Sequence, residues 1–264
     1  MYNFNYHKPG SVDDAAKAIA GAEDGKLMAG GMTLIPTLKQ RLAQPSDVVD
    51  LGKVDGMSGI TVDGNTVTIG AMTTHATVAR SADVAKAIPA LASLASHIGD
   101  AQVRHRGTIG GSIANNDPAA DYPSAVVALG ATVKTNKREI AADDFFTGMF
   151  ETALGDDEII TAVSFPVPEK AGYAKFPNPA SRYAMVGVFV AKTSGGVRVA
   201  VTGAGPCVFR QSDMEAALGS NFSADAISSV KQSDSGLNSD IHGSAEYRAH
   251  LVGVMAGRAI AAAG

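Results

Sequence analysis

The chain alternates between two hydrophobic rhythms, and the changes of rhythm divide it into three parts. In "SVDDAAKAIA", Val12, Ala15, Ala16 and Ile19 recur at helical spacing, and Ser11 with Asp14 forms a capping box at the start. "KLMA" then reads as a short strand running into Gly30–Gly31, and Thr33 is placed to cap a second helix, "LIPTLKQRLA", with Leu34, Leu38 and Leu42 aligned. "DVVDL" supplies another strand and closes a small αβαβ unit near residue 52.

Period-two alternation follows in "GITVDGNTVTIGA", around the hairpin signal Asp63–Gly64–Asn65. Helical spacing returns through "HATVARSADVAKAIPALASLASHIG", interrupted near Pro89, and again in "SAVVALG" behind Asp121 and Pro123. "ATVKTNKREIA" and "EIITAVSFPVP" read as strands, and this mixed unit ends near Pro168. Beyond Gly172, "RYAMVGVFVAKTSGGVRVAVTGAG" predicts two apolar strands joined at "SGG". Three helical patterns finish the chain, the last with Tyr247, Leu251, Val254 and Met255 on one face. The predicted class is α+β, with residues 1–170 in one two-part domain (subdomains of about 1–55 and 56–170) and residues 171–264 in a small sheet-and-helix domain.

Composition narrows the chemistry. With 22 Lys+Arg against 26 Asp+Glu the net charge is −4, which disfavours nucleic acid, and the run "VRHR" at 103–106 is too short to reverse that. Cys207 is the only cysteine, so neither an internal disulfide nor an iron–sulfur cluster can be built from this chain. Neither a signal-peptide pattern nor an 18-residue apolar run is visible, and the expectation is a soluble cytoplasmic protein.

Two short stretches stand out: "AGGMT" at 29–33 and "TIGGS" at 108–112. A glycine pair lets backbone N–H groups approach a ligand closely, and the flanking hydroxyls of Thr33, Thr108 and Ser112 add donors, which suits a diphosphate held between two loops. A single turn of this kind more often binds nothing. No lysine accompanies either turn, "GAEDGK" is one residue short of a P-loop, and no G-x-G-x-x-G occurs, so neither an NTPase nor a Rossmann site is supported.

"AGGMTLIPTLKQRL", "IGDAQVRHRGTIGGSIANNDPAADYPSAVVALGA" and "ASRYAMVGVFVA" together resemble the FAD-binding medium subunits of the molybdenum hydroxylases, which include the carbon monoxide dehydrogenase and xanthine dehydrogenase groups. The resemblance implies that Ala29, Gly30, Gly31, Met32, Thr33 and Leu34 hold the FAD diphosphate together with Thr108, Ile109, Gly110, Gly111 and Ser112, Ile109 lying near the isoalloxazine. It further implies that Asp121 accepts from a ribose or ribityl hydroxyl with help from Asp117, and that Ile160 offers backbone contacts. Tyr183 or Met185 is implied near the flavin, and Lys175 near the adenine or the ring. His105 and Met32 depart from the family pattern, where Asn and a polar residue are common.

The implied function is electron transfer: a large subunit carries the molybdenum cofactor, a small one two 2Fe–2S clusters, and the assembly is a dimer of heterotrimers. Two other readings keep the sequence motifs but change the role, a stand-alone flavin reductase or oxidase and a non-catalytic nucleotide-binding scaffold. Elsewhere the residues favour structural roles: His75 and His97 on helices or in the core, Asp156–Asp157–Glu158 as a solvated turn, and Cys207 as a small apolar residue.

Overall fold

A computed structural model describes residues 1–264. The N-terminal unit is a parallel three-stranded sheet in the order Asn5–His7, Asp47–Asp50, Gly25–Met28, with helices Val12–Ala20 and Leu34–Lys39 in its connections. Ser11 Oγ accepts from Asp14 N at 3.1 Å, as the capping box requires, and Ala15 and Ile19 are buried beneath that helix. The strand Asn5–His7 carries no apolar alternation; its place is fixed by Tyr6 on Asp50 at 2.5 Å and His7 on Asp47 at 2.7 Å.

The second helix is shorter than its apolar spacing suggests. It ends at Lys39, because Arg41 turns left-handed (φ 60°) and leaves Leu42 in solvent. Thr33 precedes it in helical conformation, and its hydroxyl makes no capping bond. That hydroxyl therefore stays available.

In the middle unit, the strand Ile160–Pro166 pairs antiparallel with Thr66–Gly70 on one side and Thr132–Thr135 on the other, joining two hairpins into five strands. The long helical stretch resolves into His75–Arg80, Ala82–Ala87 and Pro89–Ser96. Thr74 and Ser81 cap the first two, and the breaks fall at Ser81 and Ile88. Tyr122–Ala128 begins directly after Asp121, with Pro123 in its first turn, but Asp121 makes no capping bond.

The C-terminal sheet runs Lys170–Pro177, Ala184–Thr193, Gly196–Thr202, Phe209–Arg210. Ala184–Thr193 is buried on both faces, which explains its unbroken apolar run: Val186, Val188 and Val190 face the C-terminal helix, while Phe189 and Ala191 join the larger core of the first 168 residues. The C-terminal helix Ala245–Ala262 lies so close that a Cβ at Gly172 would stand 1.9 Å from the carbonyl of Ala259.

That helix buries Arg248, Leu251, Val252, Met255, Ala256, Ala259 and Ile260. Leu251 and Met255 face inward as predicted, but Arg248 is buried at the head of the stripe while Tyr247 is 41% exposed. The apolar pattern excludes Arg248 from a core. Its guanidinium donates to the carbonyls of Met185 (2.8 Å) and Gly203 (3.0 Å) and to both oxygens of Asp240 (2.9 and 2.8 Å). Arg248→Ala strands two buried carbonyls, each worth about 1–3 kcal/mol, so a loss of about 2–5 kcal/mol is expected in urea unfolding followed by far-UV circular dichroism.

A candidate FAD site between two glycine loops

The two glycine loops meet. A Cβ at Gly30 would lie 1.9 Å from the carbonyl oxygen of Arg106, and one at Gly111 would lie 3.2 Å from Cβ of Ala29. Thr74 and Thr108 form a bridge, with His75 N donating to Gly107 O at 3.0 Å and Ile109 N to Thr73 O at 3.1 Å. The two turns are therefore a single backbone assembly.

They are not equivalent, although the sequence presents them as a pair. In 108–112 the amides are consumed within the fold: Ile109 N by Thr73 O, Gly110 N by Ala71 O (2.8 Å), Gly111 N by Thr108 Oγ1 (3.1 Å) and Ser112 N by Thr108 O (3.0 Å). In 30–34 no acceptor of this chain takes the N–H of Gly30, Gly31, Met32, Thr33 or Leu34. Gly31 sits at φ +74°, a conformation natural to glycine alone, and turns this run. The first loop supplies donors; the second supplies the hydroxyl of Ser112 and the wall behind it.

A cavity of about 760 Å³ lies along both loops, within the range of roughly 300–1,000 Å³ usual for cofactor sites. Its lining includes Ala29 to Leu34, Thr108, Gly110, Gly111, Ser112, Asp117, Asp121, Ile160 and Tyr183. Three implied contacts lie elsewhere. Ile109 is fully buried, its side chain in the core. Met185 is buried at the C-terminal helix, where its carbonyl receives Arg248. Lys175 stands behind the wall, its ammonium on Asp121 at 2.9 Å and on the carbonyl of His97 at 3.1 Å. His105 is exposed and bonds Ala101 O, so of the two family departures only Met32 borders the cavity.

Asp121 is less free than its implied role suggests. Tyr173 donates to one of its oxygens, Lys175 reaches both, and only 4% of the residue is exposed. Burial pushes its carboxyl up, against the pull of the Lys175 ammonium. Asp117 keeps one oxygen unbonded while the other accepts from Ala119 N at 2.9 Å; burial raises its carboxyl too.

Glu158, read from sequence as part of a solvated turn, is buried and borders the cavity. Arg138 donates to both its oxygens (2.9 and 3.0 Å), Gly155 N and Thr135 add further bonds, and together these hold its carboxyl down at about 2. The pair fixes the 154–160 wall. Asp157, its neighbour, is tied to Lys137.

Sequence reasoning also passed over His75, Ile98 to Asp100 and Ala180 to Arg182 as lining residues. Only His75 had a local signal, as the residue after a capping Thr; the others are backbone turns brought in by tertiary packing. His75 is 4% exposed, its Nδ1 has no partner, and its ring packs on Tyr122 at 5.4 Å between centroids.

The arrangement fits a large anionic dinucleotide: a row of unpaired amides with a glycine cradle on a large, mostly apolar cavity. Residues 2–168 match the family described as "FAD binding domain in molybdopterin dehydrogenase", and residues 171–263 match "CO dehydrogenase flavoprotein C-terminal domain". The chain belongs to the FAD-binding medium subunits of the molybdenum hydroxylases. It is 41% identical to the nicotine 6-hydroxylase medium subunit of Paenarthrobacter nicotinovorans, over 98% of this chain and 96% of that protein. It is 32% identical to the carbon monoxide dehydrogenase medium chain of Hydrogenophaga pseudoflava, over 98% and 96%. Among solved structures, reconstituted CO dehydrogenase from Oligotropha carboxidovorans matches with a TM-score of 0.91 at 32% identity, covering 99% of this chain and 97% of that one.

In this medium subunit, burial and the nearby Arg104 guanidinium hold His75 down at about 4, from an ordinary 6.5. The unfolded chain therefore takes up a proton on this residue before the folded one does. Its contribution, about 3 kcal/mol, is complete above pH 6.5 and is lost as the pH falls toward 4. Unfolding free energies from urea titrations between pH 7 and 4 are expected to fall by that amount more in the native protein than in His75→Phe.

Proposed function

We propose that this chain is the electron-transfer subunit of a three-part hydroxylase, holding FAD between 2Fe–2S clusters of a small partner and an external acceptor. A large partner carries the molybdenum cofactor and oxidises the substrate, and the whole forms a cytoplasmic dimer of heterotrimers. The proposal takes residues 1–170 as the FAD-binding domain and 171–264 as the C-terminal domain. FAD, when bound, supplies the redox chemistry, and the protein supplies position and surroundings.

The observation that carries the reading is the run of five unpaired amides from Gly30 to Leu34 on the cavity wall. An anion set there receives neutral backbone donors and the hydroxyls of Thr33 and Ser112, neither of which is bonded within the chain. On the same wall Asp117 holds a carboxylate oxygen open to a hydroxyl donor, and Asp121, held by Tyr173 and Lys175, has room for one more bond. Tyr183, 48% exposed, stands at the side contributed by the C-terminal domain. The stand-alone flavoenzyme reading gains nothing here, since Glu158 and Asp121 are committed to Arg138 and Lys175.

Gly31→Val is the discriminating variant. A branched Cβ there forces the φ of +74° out of range and would meet Ile35 Cδ1 at 2.6 Å, so the amide run must turn away. Losing two hydrogen bonds to an anion, about 1.5–3 kcal/mol each, weakens binding by roughly 100-fold or more. FAD titration by fluorescence quenching is expected to show that loss, with the far-UV spectrum retained. Undiminished affinity would reduce the loop to a structural turn. Gly110→Val cannot serve, because its Cβ would lie 2.8 Å from the carbonyl oxygen of Ala71 and disturb the core.

A further inference from the structure

Directly after the short helix Ala142–Phe145 comes a small hairpin that belongs to no larger sheet. Phe146–Gly148 and Glu151–Thr152 pair only with each other. Its tip, Met149 and Phe150, is exposed at 48% and 56%. Phe150 also adopts φ +57°, a left-handed conformation that a residue with a Cβ adopts rarely. A turn needing only to reverse the chain is served better by Gly or Asn at that position, and water is served better by a polar side chain.

The tip is held firmly in this unfavourable form. Phe150 N donates to Asn116 O at 3.1 Å, and Asn116 Nδ2 reaches the carbonyls of Gly148 and Glu151, both at 2.8 Å. Asn116 is 1% exposed and itself left-handed at φ +42°, closing the helix that begins at the second glycine loop. At the root, Phe145 is fully buried and meets Phe146 edge to face at 4.9 Å. A left-handed phenylalanine and a buried amide are thus committed to displaying two large apolar side chains outside the fold. Such display marks a contact surface.

Its location names the occupant. Asn116 stands between Asn115 and Asp117, which both line the cavity, and the strand after the tip leads to Leu154, Glu158, Ile159 and Ile160 in the same wall. A chain seated on the tip lies alongside the site. On the electron-transfer reading, electrons reach that site from a cluster on another chain, and that chain must lie close to the cavity. Asp144 and Glu151 flank the tip as exposed carboxylates without a Lys or Arg partner, which calls for a basic rim on the opposing surface.

We propose that the Met149–Phe150 tip is the docking knob for the iron–sulfur subunit, seated in an apolar recess with Lys or Arg around it. The inference rests on the electron-transfer reading of the cavity.

Phe150→Gly separates docking from structure, because glycine relieves the left-handed strain while removing the ring. The full-length chain, loaded with FAD, and the purified 2Fe–2S subunit of the same complex are the reagents, with Met149→Ser as a second variant. Phe150→Gly is expected to keep its FAD and melt at or above the native temperature, yet to bind the iron–sulfur subunit at least about tenfold more weakly by calorimetry. Met149→Ser should weaken it in the same direction. Unchanged affinity in both variants overturns the proposal, as does a loss confined to the molybdenum subunit or to self-association. Failure of the native chain to take up FAD is a different result: it overturns the reading of the cavity, and it is read by flavin absorbance before any partner is added.

Discussion

The close approach of two backbones at Gly30 and Arg106 is the constraint on which the site depends. With a Cβ at residue 30 only 1.9 Å from the Arg106 carbonyl, the N-terminal parallel sheet and the segment entering the second glycine loop cannot share this space unless that side chain is absent. Their contact sets the amides of 30–34 facing outward, since the backbone behind them is already occupied. The donors stay unpaired because the fold leaves them no partner, and unpaired amides are costly unless water or a ligand meets them. A binding loop of this kind trades local stability for readiness.

The second loop carries the opposite role. Its amides close onto Ala71, Thr73 and Thr108, so it behaves as the rigid piece against which the first is set. Sequence alone makes the two turns look alike, because both contain Gly-Gly beside hydroxyl residues. What distinguishes them is which neighbouring carbonyls come within reach, and those neighbours are about 35 residues upstream. The same limit hid the roles of Lys175, Arg248 and Glu158. Lys175 was expected at a ligand and Glu158 in solvent, Arg248 lies outside the apolar pattern, and each is satisfied by partners that only the tertiary fold assembles. Local signals were read well: Ser11, the Asp63–Gly64–Asn65 hairpin and the "SGG" turn all act over a few residues. Most cavity residues were legible too, because the glycine loops are local features. The side chains of Ile109 and Met185 turn into the core, since a motif fixes where the backbone lies and packing decides which way the neighbouring side chain turns.

The C-terminal sheet is joined to the site through its own core. Strand Ala184–Thr193 gives one face to each of the two hydrophobic clusters, and Tyr173 and Lys175, on the adjacent strand Lys170–Pro177, reach across to Asp121. A buried carboxylate at the cavity wall is tolerable only with a cation and a hydroxyl beside it. The N-terminal part of the chain supplies the acid, and the C-terminal part supplies what keeps it there. Separating the two would leave a buried charge unpaired at the cavity, so the C-terminal sheet is part of the site even though only Ala180 to Tyr183 border it directly.

Neither glycine loop contributes a cation, and this bears on how such a cavity behaves. Backbone dipoles attract an anion over a short range and with strict geometry, whereas a lysine attracts it from farther away and tolerates displacement. Lys26 and Arg182 border the cavity, but Lys26 is shared with Asp24 at 3.0 Å. Retention of a diphosphate then depends on the conformation of five consecutive residues more than on the ionic strength around them. Conformation is in turn set by the Gly30–Arg106 contact and by the left-handed Gly31, both of which belong to the fold itself. The same economy appears at the hairpin, where a buried Asn116 fixes the backbone of the tip without a charge. Around this cavity, position is enforced by backbone geometry, and the buried carboxylates of Asp121 and Glu158 are paired with Lys175 and Arg138.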